Sequence, residues 1–508
     1  MYGRPTKLIV TGADGTIETL DSRQGVRQGD PFGPLFFSLG IRRTLEDLRN
    51  HLGPDRLLLG YLDDIYILSS DDSALEDVKS FFDTRPASSL LLNVRKCTTS
   101  GLEDIRADGI KILGTAVGSA DFRSRFLSDK IERQVGLLHQ LSDLKSQHAL
   151  LLLRYCVQQD LRHLQRSLRT VDLPNCWTPL DDALLETALL LRTSPRRLDT
   201  DADLVTLPTR MGGLGLLSHS ECAPHAYAAA ADAADQTLGP ALGLDVDDDL
   251  QVVPQRERCQ KAFVARHGQL LSRLSGLARD VVTESASVIG RRWLAVIPFR
   301  PSLVLSDTEI ATGLHGRTLC PGRLDFCSDC GETAPIGHDD LCTGRPRYQL
   351  GRHEQVKRLV INTLSSCSSY RVDVEPLVPG TQLRTDLRVS GPDRVVEIDI
   401  TVVSLASQDA RFISNRSHID TSRPVVDRAK SAVENALSAT ARLKHLKYAH
   451  RVSAPFRAFV LSSGGAADSG TLKLLDSWRE HLGPSSYSHF IRCLSLSLVR
   501  SRARVGRL

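Results

Sequence analysis

The sequence has no apolar run approaching the roughly 20 residues that a helix needs to cross a bilayer. Its first residues, MYGRPTKLIVTGADG, lack the apolar segment of a secretory signal, and its 11 cysteines are an odd number, so a secreted disulfide scaffold is disfavoured. There is no excess of one charge either, because 64 Lys and Arg against 60 Asp and Glu leave +4, which excludes a histone-like or polyanion-coating protein. These absences predict a soluble, intracellular protein without a membrane partner.

What the sequence does contain is an ordinary globular composition. With 41% hydrophobic and 24% charged residues, bulk disorder is excluded. At roughly 150 residues per domain, the length of 508 residues predicts three or four domains. No tandem repeat with a period of about 20 to 50 residues is present, so a solenoid is not expected. The function must therefore be inferred from motifs.

The pattern of apolar residues changes along the chain. Short strand candidates come first and are followed by helical spacing, as at Ile131, Val135, Leu138 and Leu141. The Asp-rich stretch 239–254 is the best linker candidate. We predict five segments: mixed strands and helices at 1–120, helices at 121–225, a helical linker region at 226–315, a cysteine-rich knot at 316–352, and strands followed by a long helix at 353–508.

Two adjacent carboxylates lie in the motif YLDD, which runs from Tyr61 to Asp64. Apolar runs flank it at 57–60 and 65–68, so the pattern predicts a β-hairpin with both acids at its tip. Adjacent carboxylates repel each other unless a cation or solvent offsets their charge. The motif is therefore either a divalent-metal site or a hydrated Asp-Asp turn.

Three further motifs accompany this hairpin. A glycine- and proline-rich loop, GVRQGDPFGP at 25–34, opens an apolar helix and suits close approach of the backbone to a flat, charged ligand. LNVRK at 92–96 and IKILG at 110–114 follow the hairpin. With these four motifs in this order, the chain resembles a reverse transcriptase of the non-LTR retrotransposon type.

The resemblance implies a role for particular residues of these motifs. They are Gln28 and Gly29 in the loop that positions template and nucleotide, Tyr61 as a further substrate contact, Asp63 and Asp64 as catalytic ligands of Mg²⁺ (or Mn²⁺), and Lys96 beside the leaving pyrophosphate. Polymerisation needs two metal ions, which activate the primer 3′-hydroxyl and clamp the triphosphate. The implied partners are an RNA template, a DNA primer and dNTPs. For Lys96, a plain surface lysine is the open alternative.

The family also uses an Asp from an earlier palm strand. Asp14 and Asp21 precede the glutamine loop, but both lie in turn-like sequence and not in an apolar strand. The resemblance therefore implies a partial palm, as in an N-terminally truncated copy of an element.

A second constellation groups thiol and imidazole ligands. Cys327, Cys330, His338 and Cys342 bring four potential ligands together at spacings that suit a tetrahedral zinc ion. Cys320 is an alternative ligand, and scattered buried cysteines are the alternative explanation. A closed site with four protein ligands is structural and not catalytic.

A third constellation combines acids with lysines. In the alternating segment Val395–Val403, Glu397 and Asp399 share one face of a predicted strand. Asp386 precedes it across a predicted hairpin turn, and Lys444 and Lys447 share a face of a later helix. Carboxylates that hold Mg²⁺ and a lysine that offsets phosphate charge are what phosphodiester hydrolysis needs. An amphipathic edge strand is the alternative.

These residues resemble the PD-(D/E)xK restriction-like endonuclease that follows a CCHC knuckle in the site-specific class of non-LTR elements. The resemblance implies that Asp386 and Asp399 bind Mg²⁺, that Glu397, Lys444 and Lys447 are also catalytic, and that Arg352 and His353 contact the DNA substrate. Thr385 stands where the family has Pro.

The resemblances together imply a multidomain α+β protein. Its predicted parts are a partial reverse-transcriptase palm (1–120), a helical thumb or connector (121–225), a helical linker region (226–315), a CCHC zinc knuckle (316–352) and an α/β PD-(D/E)xK-like nuclease core (353–508). The implied function is target-primed reverse transcription at a DNA target in the nucleus. The alternative is a catalytically inactive remnant that acts at most as a zinc-stabilised nucleic-acid-binding protein.

Overall fold

A computed structural model of the chain describes residues 6–12, 14–22, 25–26, 29–84, 90–194, 196–243, 251–321, 326–327, 329–345 and 348–503. The chain divides into two compact units, Met1–Ile105 and Arg106–Leu508. The predicted linker at 239–254 lies partly outside the described residues. Among the described helices, none combines the length and the apolar character that would let it traverse a bilayer.

The first unit consists of short hairpins and helices. Its elements are β1 (Thr6–Thr11), β2 (Ile17–Ser22), α1 (Gly33–Leu52), β3 (Leu57–Tyr61), β4 (Asp64–Leu68), α2 (Ala74–Asp83) and α3 (Leu102–Ala107), the last of which continues past Ile105. β1 pairs with β2 and β3 with β4, each as an antiparallel two-stranded sheet.

The core of this first unit is small. Leu48 and Leu52 of α1 pack against Val78 and Phe81 of α2, with Leu58 and Ile67 of the β3–β4 hairpin beside them. Helix α1 begins with a proline in its first turn, where no N–H is needed, and stops at Gly53, whose φ of 84° a residue with a side chain rarely adopts.

The second unit begins with a hairpin and a helical region. The elements are β5 (Ile110–Ile112), β6 (Thr115–Val117), α4 (Ala120–Gln140), α5 (Ser146–Tyr155), α6 (Arg162–Ser167), α7 (Thr178–Leu191), α8 (Asp201–Thr206), α9 (His219–Leu238), α10 (Gln255–Arg273), α11 (Gly276–Ala286), α12 (Val288–Arg292) and α13 (Asp307–Arg317). The helical spacing in 121–141 is confirmed, because Ile131 and Leu138 lie on the buried stripe of α4. The core of this region also holds Trp177 and Trp293.

The rest of the second unit is built around one mixed sheet. Its elements are α14 (Tyr348–Ser365), β7 (Arg371–Val374), β8 (Leu387–Ser390), β9 (Val395–Val403), α15 (Gln408–Ile419), α16 (Val425–Tyr448), β10 (Phe456–Ser462) and α17 (Ser469–Arg502). The strand order is β10-β9-β8-β7, in which β9 and β10 are parallel and the other pairs antiparallel. The long helix predicted after the strands of 353–508 is confirmed as α16.

Helices cover both faces of this sheet. Ile398 and Ile400 of β9 face α14 and α17, where they share a core with Val360 and Leu475. Ala458 and Val460 of β10 face the other way, onto Ala436 and Leu437 of α16. Strand β9 therefore lies inside a three-layer α/β/α arrangement, so the alternative of an edge strand is wrong. The alternation predicted for its apolar residues is confirmed.

Candidate functional sites

The YLDD motif forms the predicted hairpin. The pairing runs from Leu57 opposite Leu68 to Tyr61 opposite Asp64, so Leu62 and Asp63 form the two-residue turn. Leu62 has a φ of 54°, as the tight turns that match strand twist require. Tyr61, Asp63 and Asp64 are all exposed. The hairpin thus presents two adjacent carboxylates to solvent.

The loop before α1 is described only in part. Gln28 lies outside the described residues. Gly29 has a φ of 85° and open space where a side chain would be. The Asp30 carboxylate accepts a hydrogen bond from the Phe32 N–H at 2.9 Å, so it orders the entry into α1. Gly29 therefore lies in an open turn that leads into the helix.

Lys96, the predicted pyrophosphate contact, lies on the short 3₁₀ turn Val94–Lys96, and its side chain is exposed. Within the described ranges, only the cysteine-rich knot gathers three or more metal-binding side chains with their ligand atoms close together. No third carboxylate of the described chain therefore joins Asp63 and Asp64.

The cysteine-rich knot brings its four predicted ligands together. The ligand atoms of Cys327, Cys330, His338 and Cys342 lie within 4.8 Å of one another. The sulfurs of Cys327 and Cys342 are 3.6 Å apart, and the Cys330 sulfur is 3.4 Å from His338 Nε2. A tetrahedral ion with Zn–S bonds of about 2.3 Å separates its sulfurs by about 3.8 Å, so the donor set fits zinc. Cys320 contacts Ser194 and the Pro321 carbonyl and stands apart from this group.

The electrostatics of the knot also suit a metal ion. Burial raises the pKa of the Cys327 thiol, but hydrogen bonds from the backbone N–H groups of Asp329 and Cys330 and from the His338 and Cys342 side chains together outweigh that effect, and the pKa falls to about 6. The Asp329 N–H lies 3.4 Å from the Cys327 sulfur. Since the thiolate is the form that binds a metal, this cysteine is prepared for ligation near neutral pH.

Asp340, between two of these ligands, connects the knot to the sheet region. Its carboxylate is only 2% exposed, and Arg352 Nη1 and Arg502 Nη2 lie 3.0 and 3.2 Å from its two oxygens. Ser463, which follows β10, donates its hydroxyl to the same carboxylate, and Ser404, which follows β9, lies 3.4 Å from it. The knot is thereby fixed to the carboxyl ends of the two parallel strands.

Arg352 was predicted to contact DNA, and the structure places it elsewhere. Its side chain is 3% exposed, and besides Asp340 it donates to the Val402 carbonyl at 3.3 Å. A guanidinium buried in this way cannot reach a phosphate without breaking the pair. A DNA contact for Arg352 therefore stays a prediction, and in this structure its guanidinium is engaged by Asp340.

Asp386 and Asp399 lie next to each other. β8 and β9 pair Leu387 with Ile398, so Asp386 immediately precedes β8 at the level of Asp399. The Asp386 carboxylate accepts the N–H of Ile400, the residue after Asp399, at 2.6 Å. Both side chains are largely buried, with 15% and 7% exposed. A protein usually binds Mg²⁺ through one or two carboxylates together with substrate phosphates, so these donors fit that ion.

A cation from a different element accompanies each acid. Lys444 Nζ of α16 lies 2.8 Å from Asp399 Oδ2, and His353 Nε2 of α14 lies 3.1 Å from Asp386 Oδ2. The hydrogen bond to Asp386 raises the pKa of His353. Burial raises the pKa of Asp386, but His353 and the Ile400 N–H outweigh that effect, and the net pKa is lowered. The Asp386 carboxylate is therefore held in the charged form.

Tyr448 and Lys447 lie beside this pair in different ways. The Tyr448 side chain is buried, donates to the Arg384 carbonyl at 3.1 Å, and has a pKa raised to about 12 by burial and then by Asp399. Lys447 is exposed, and its ammonium lies 4.7 Å from the centre of the Tyr448 ring. The predicted lysine pair is thus divided, because Lys444 pairs with Asp399 and Lys447 faces outward.

Glu397 does not join the acids to which sequence alternation assigned it. Its buried carboxylate receives Arg388 Nη2 at 2.5 Å and the hydroxyl of Thr385 at 2.5 Å. Arg388 is its direct partner across β8 and β9. Glu397 therefore forms a cross-strand ion pair and also orders Thr385, the neighbour of Asp386, and its predicted catalytic role stays a prediction.

Sequence reasoning missed two buried charged residues near the predicted sites, Lys357 and Asp340. Lys357, one helical turn after His353, is almost buried and pairs with Glu354 at 2.6 Å and Glu375 at 2.7 Å. Helical spacing from His353 could have indicated it. For Asp340, an acid between two zinc ligands was the available signal, but its partners come from distant parts of the chain and no local pattern reveals them.

Comparison with known proteins bears on the class of protein. Residues 6–117 match the family described as reverse transcriptase (RNA-dependent DNA polymerase). The chain is also similar to the retrotransposable element SLACS 132 kDa protein of Trypanosoma brucei gambiense, with 22% identity over 408 residues. That alignment covers 76% of this chain and 31% of the relative, so the chain spans about a third of that protein's length. The two findings support a reverse transcriptase of a retrotransposon.

Proposed function

We propose that the chain is part of a non-LTR retrotransposon protein of the restriction-like-endonuclease class. It nicks a DNA target and then extends the exposed 3′-hydroxyl by copying RNA, which is target-primed reverse transcription in the nucleus. The family match over residues 6–117 and the retrotransposon relative support the polymerase half. The buried acids of the sheet region support the nuclease half.

The observation that carries the nuclease proposal is the convergence at Asp399. Asp386 hydrogen-bonds the backbone next to Asp399, and Lys444 lies 2.8 Å from its carboxylate. Asp386 and Asp399 are the residues that would hold Mg²⁺ or Mn²⁺. Such an ion supplies an activated water and charge stabilisation for phosphodiester hydrolysis.

The chain's own residues supply the rest of this site. Lys444 places a positive charge beside the acids, where it offsets negative charge that develops on the phosphate. His353 orients the Asp386 carboxylate through Nε2. Glu397 acts on the site indirectly, by accepting a hydrogen bond from Thr385, the neighbour of Asp386. His353 and Glu397 are positioning residues in this proposal.

The polymerase half rests on the YLDD hairpin. Asp63 and Asp64 are exposed at its tip, as Mg²⁺ ligands that meet a primer and a dNTP must be. Tyr61, Gly29 and Gln28 contact substrate in this proposal, and Lys96 meets the pyrophosphate. The cysteine-rich knot binds Zn²⁺ in a structural role.

Nicking of supercoiled plasmid DNA tests the nuclease proposal. With Mg²⁺ present, we expect the full chain to convert supercoiled circles to relaxed circles, and Asp399→Asn to reduce conversion to background. Asp476→Asn, which removes an exposed acid of α17, is the matched control and should nick like the wild type. Undiminished nicking by Asp399→Asn would refute the assignment.

One observation favours a second candidate function. Within the described residues no third carboxylate joins Asp63 and Asp64. A zinc-stabilised remnant that only binds nucleic acid would show binding without nicking and without extension of a primer. The plasmid assay combined with primer extension on an RNA template separates the two candidates.

A further inference from the structure

The last two turns of α16 present one face that the sheet region does not cover. Leu443 and Leu446 are 67% and 70% exposed, and Arg442 and Lys447 are exposed beside them. At 3.6 residues per turn these four side chains fall on one side of the helix. The opposite side is anchored, because Tyr448 is buried and stacks on Phe456 with ring centres 5.2 Å apart. We call the four exposed residues the α16 basic face.

The segment of chain that carries this face has charges of one sign only. Residues 435–467 contain five Lys or Arg and no Asp or Glu. Lys444 pairs with Asp399. No ion pair found among the described residues involves Arg442, Lys447 or Arg451. The face therefore keeps a positive charge that the protein itself does not neutralise.

The α16 basic face is next to the proposed nuclease acids. Lys447, at one edge of the face, follows Lys444 by three residues and is therefore its neighbour on the helix surface, and Lys444 pairs with Asp399. On the buried side of the helix, Tyr448 donates to the Arg384 carbonyl, two residues before Asp386, so the acids lie under α16 and border the face at Lys447. A ligand that covers the face and extends past Lys447 is thus held beside the carboxylates.

We propose that the α16 basic face binds the phosphate backbone of duplex DNA next to the nick site, which rests on the proposed nuclease function. Arg442 and Lys447 are separated by about 7 Å of helix rise, and DNA carries one charge per about 1.7 Å of its axis, so several phosphates lie within reach. Exposed leucines between the cations contact sugars and groove edges, as apolar side chains of DNA-binding proteins do. Lys447 acts by holding DNA and not in catalysis.

The salt dependence of duplex binding tests this assignment. The full zinc-loaded chain is titrated with a labelled duplex without Mg²⁺, so that no nicking occurs, at several KCl concentrations. The slope of log affinity against log salt falls by about 0.9 for each phosphate contact removed. We expect the double variant Arg442→Ala/Lys447→Ala to lower the slope by about 1.8. Arg256→Ala/Lys473→Ala removes the same charge from other exposed positions and should leave the slope unchanged.

The leucines provide a second, independent measurement. Leu443→Ser/Leu446→Ser should weaken duplex binding several-fold with no change in the salt slope, since no phosphate contact is lost. If instead the wild type is a dimer by light scattering and this variant is a monomer, a second copy covers the face and the proposal is wrong. Equal slopes for the two charge-removal doubles, or a reduced slope with single-stranded RNA but not with duplex DNA, would also overturn it.

Failure here differs from failure of the proposed function. If the wild type binds duplex DNA with the expected slope changes but does not nick plasmid with Mg²⁺, the surface assignment stands and the nuclease assignment fails. If the wild type nicks and both doubles bind alike, the nuclease assignment stands and the surface assignment fails.

Discussion

The two carboxylate pairs of this protein are held in opposite ways. Asp63 and Asp64 stand exposed at the tip of a two-stranded hairpin over a small core. Asp386 and Asp399 are largely buried in a four-stranded sheet covered by helices, each with a cation from another element. The first pair meets water, whereas the second is removed from it.

The difference shows which contacts hold carboxylate side chains in one geometry when no ligand is bound. A buried carboxylate is costly unless a partner and hydrogen bonds compensate it, so Lys444, His353 and the Ile400 N–H hold the sheet acids in one geometry. Exposed acids need no such partners, and nothing in their own hairpin besides the tight turn orients them. The protein itself therefore fixes the sheet acids in place, whereas in the proposed function the hairpin acids would be ordered by a substrate and a metal.

The largest expected effect comes from a buried ion pair of the second unit. Arg352→Met removes one partner of Asp340 and leaves that carboxylate undercompensated at 2% exposure. Breaking one side of a buried pair costs about 3–5 kcal/mol of unfolding free energy. Hydrogen exchange measured by mass spectrometry should show faster exchange in α14 and the cysteine-rich knot.

Arg56→Met is the counterpart in the first unit. Arg56 pairs with Asp71 and Asp77, whose carboxylates are roughly half exposed and remain hydrated when the guanidinium is removed. We expect a much smaller change in exchange there than Arg352→Met produces. If the two variants change exchange equally, burial does not distinguish the units.

The next effect concerns the two lysines that the sequence could not tell apart. Lys444→Met removes the cation beside Asp399, and loss of one electrostatic stabiliser of this kind lowers the rate about a hundredfold or more. Lys447→Met removes a cation that faces outward. Single-turnover nicking at saturating DNA should therefore fall strongly for Lys444→Met and stay within a few-fold of the wild type for Lys447→Met. The reverse order would place Lys447 in the catalytic site.

Sequence periodicity was informative where neighbours in the chain are also neighbours in space. The YLDD hairpin, the alternation in β9, the long helix α16 and the four ligands of the knot each depend on spacings of a few residues. The order of motifs then indicated which acids belong together. These features could be predicted because local geometry determines them.

The partners of the charged residues could not be predicted in the same way. Arg352 meets Asp340 because the knot packs against the ends of β9 and β10, and no local pattern encodes that contact. Glu397 and Asp399 are two residues apart on β9 and so point to the same face of the strand. The Glu397 carboxylate nevertheless forms an ion pair with Arg388, its direct partner on β8. Sequence alternation predicts which face of a strand a side chain points to. Only the pairing of strands shows whether its charge is already neutralised by a neighbouring residue.

The smallest effect on the fold is expected at the hairpin tip. Asp63→Asn/Asp64→Asn removes two adjacent like charges that are exposed, so thermal unfolding should be unchanged or slightly improved. Primer extension on an RNA template should nevertheless disappear, while Mg²⁺-dependent nicking persists, because the second acid pair is untouched. Asp55→Asn/Asp72→Asn removes the same charge from other exposed positions of the first unit and serves as the control that should retain extension. If Asp63→Asn/Asp64→Asn still extended the primer, these carboxylates would hold no catalytic metal. The motif would then be the alternative, a hydrated Asp-Asp turn.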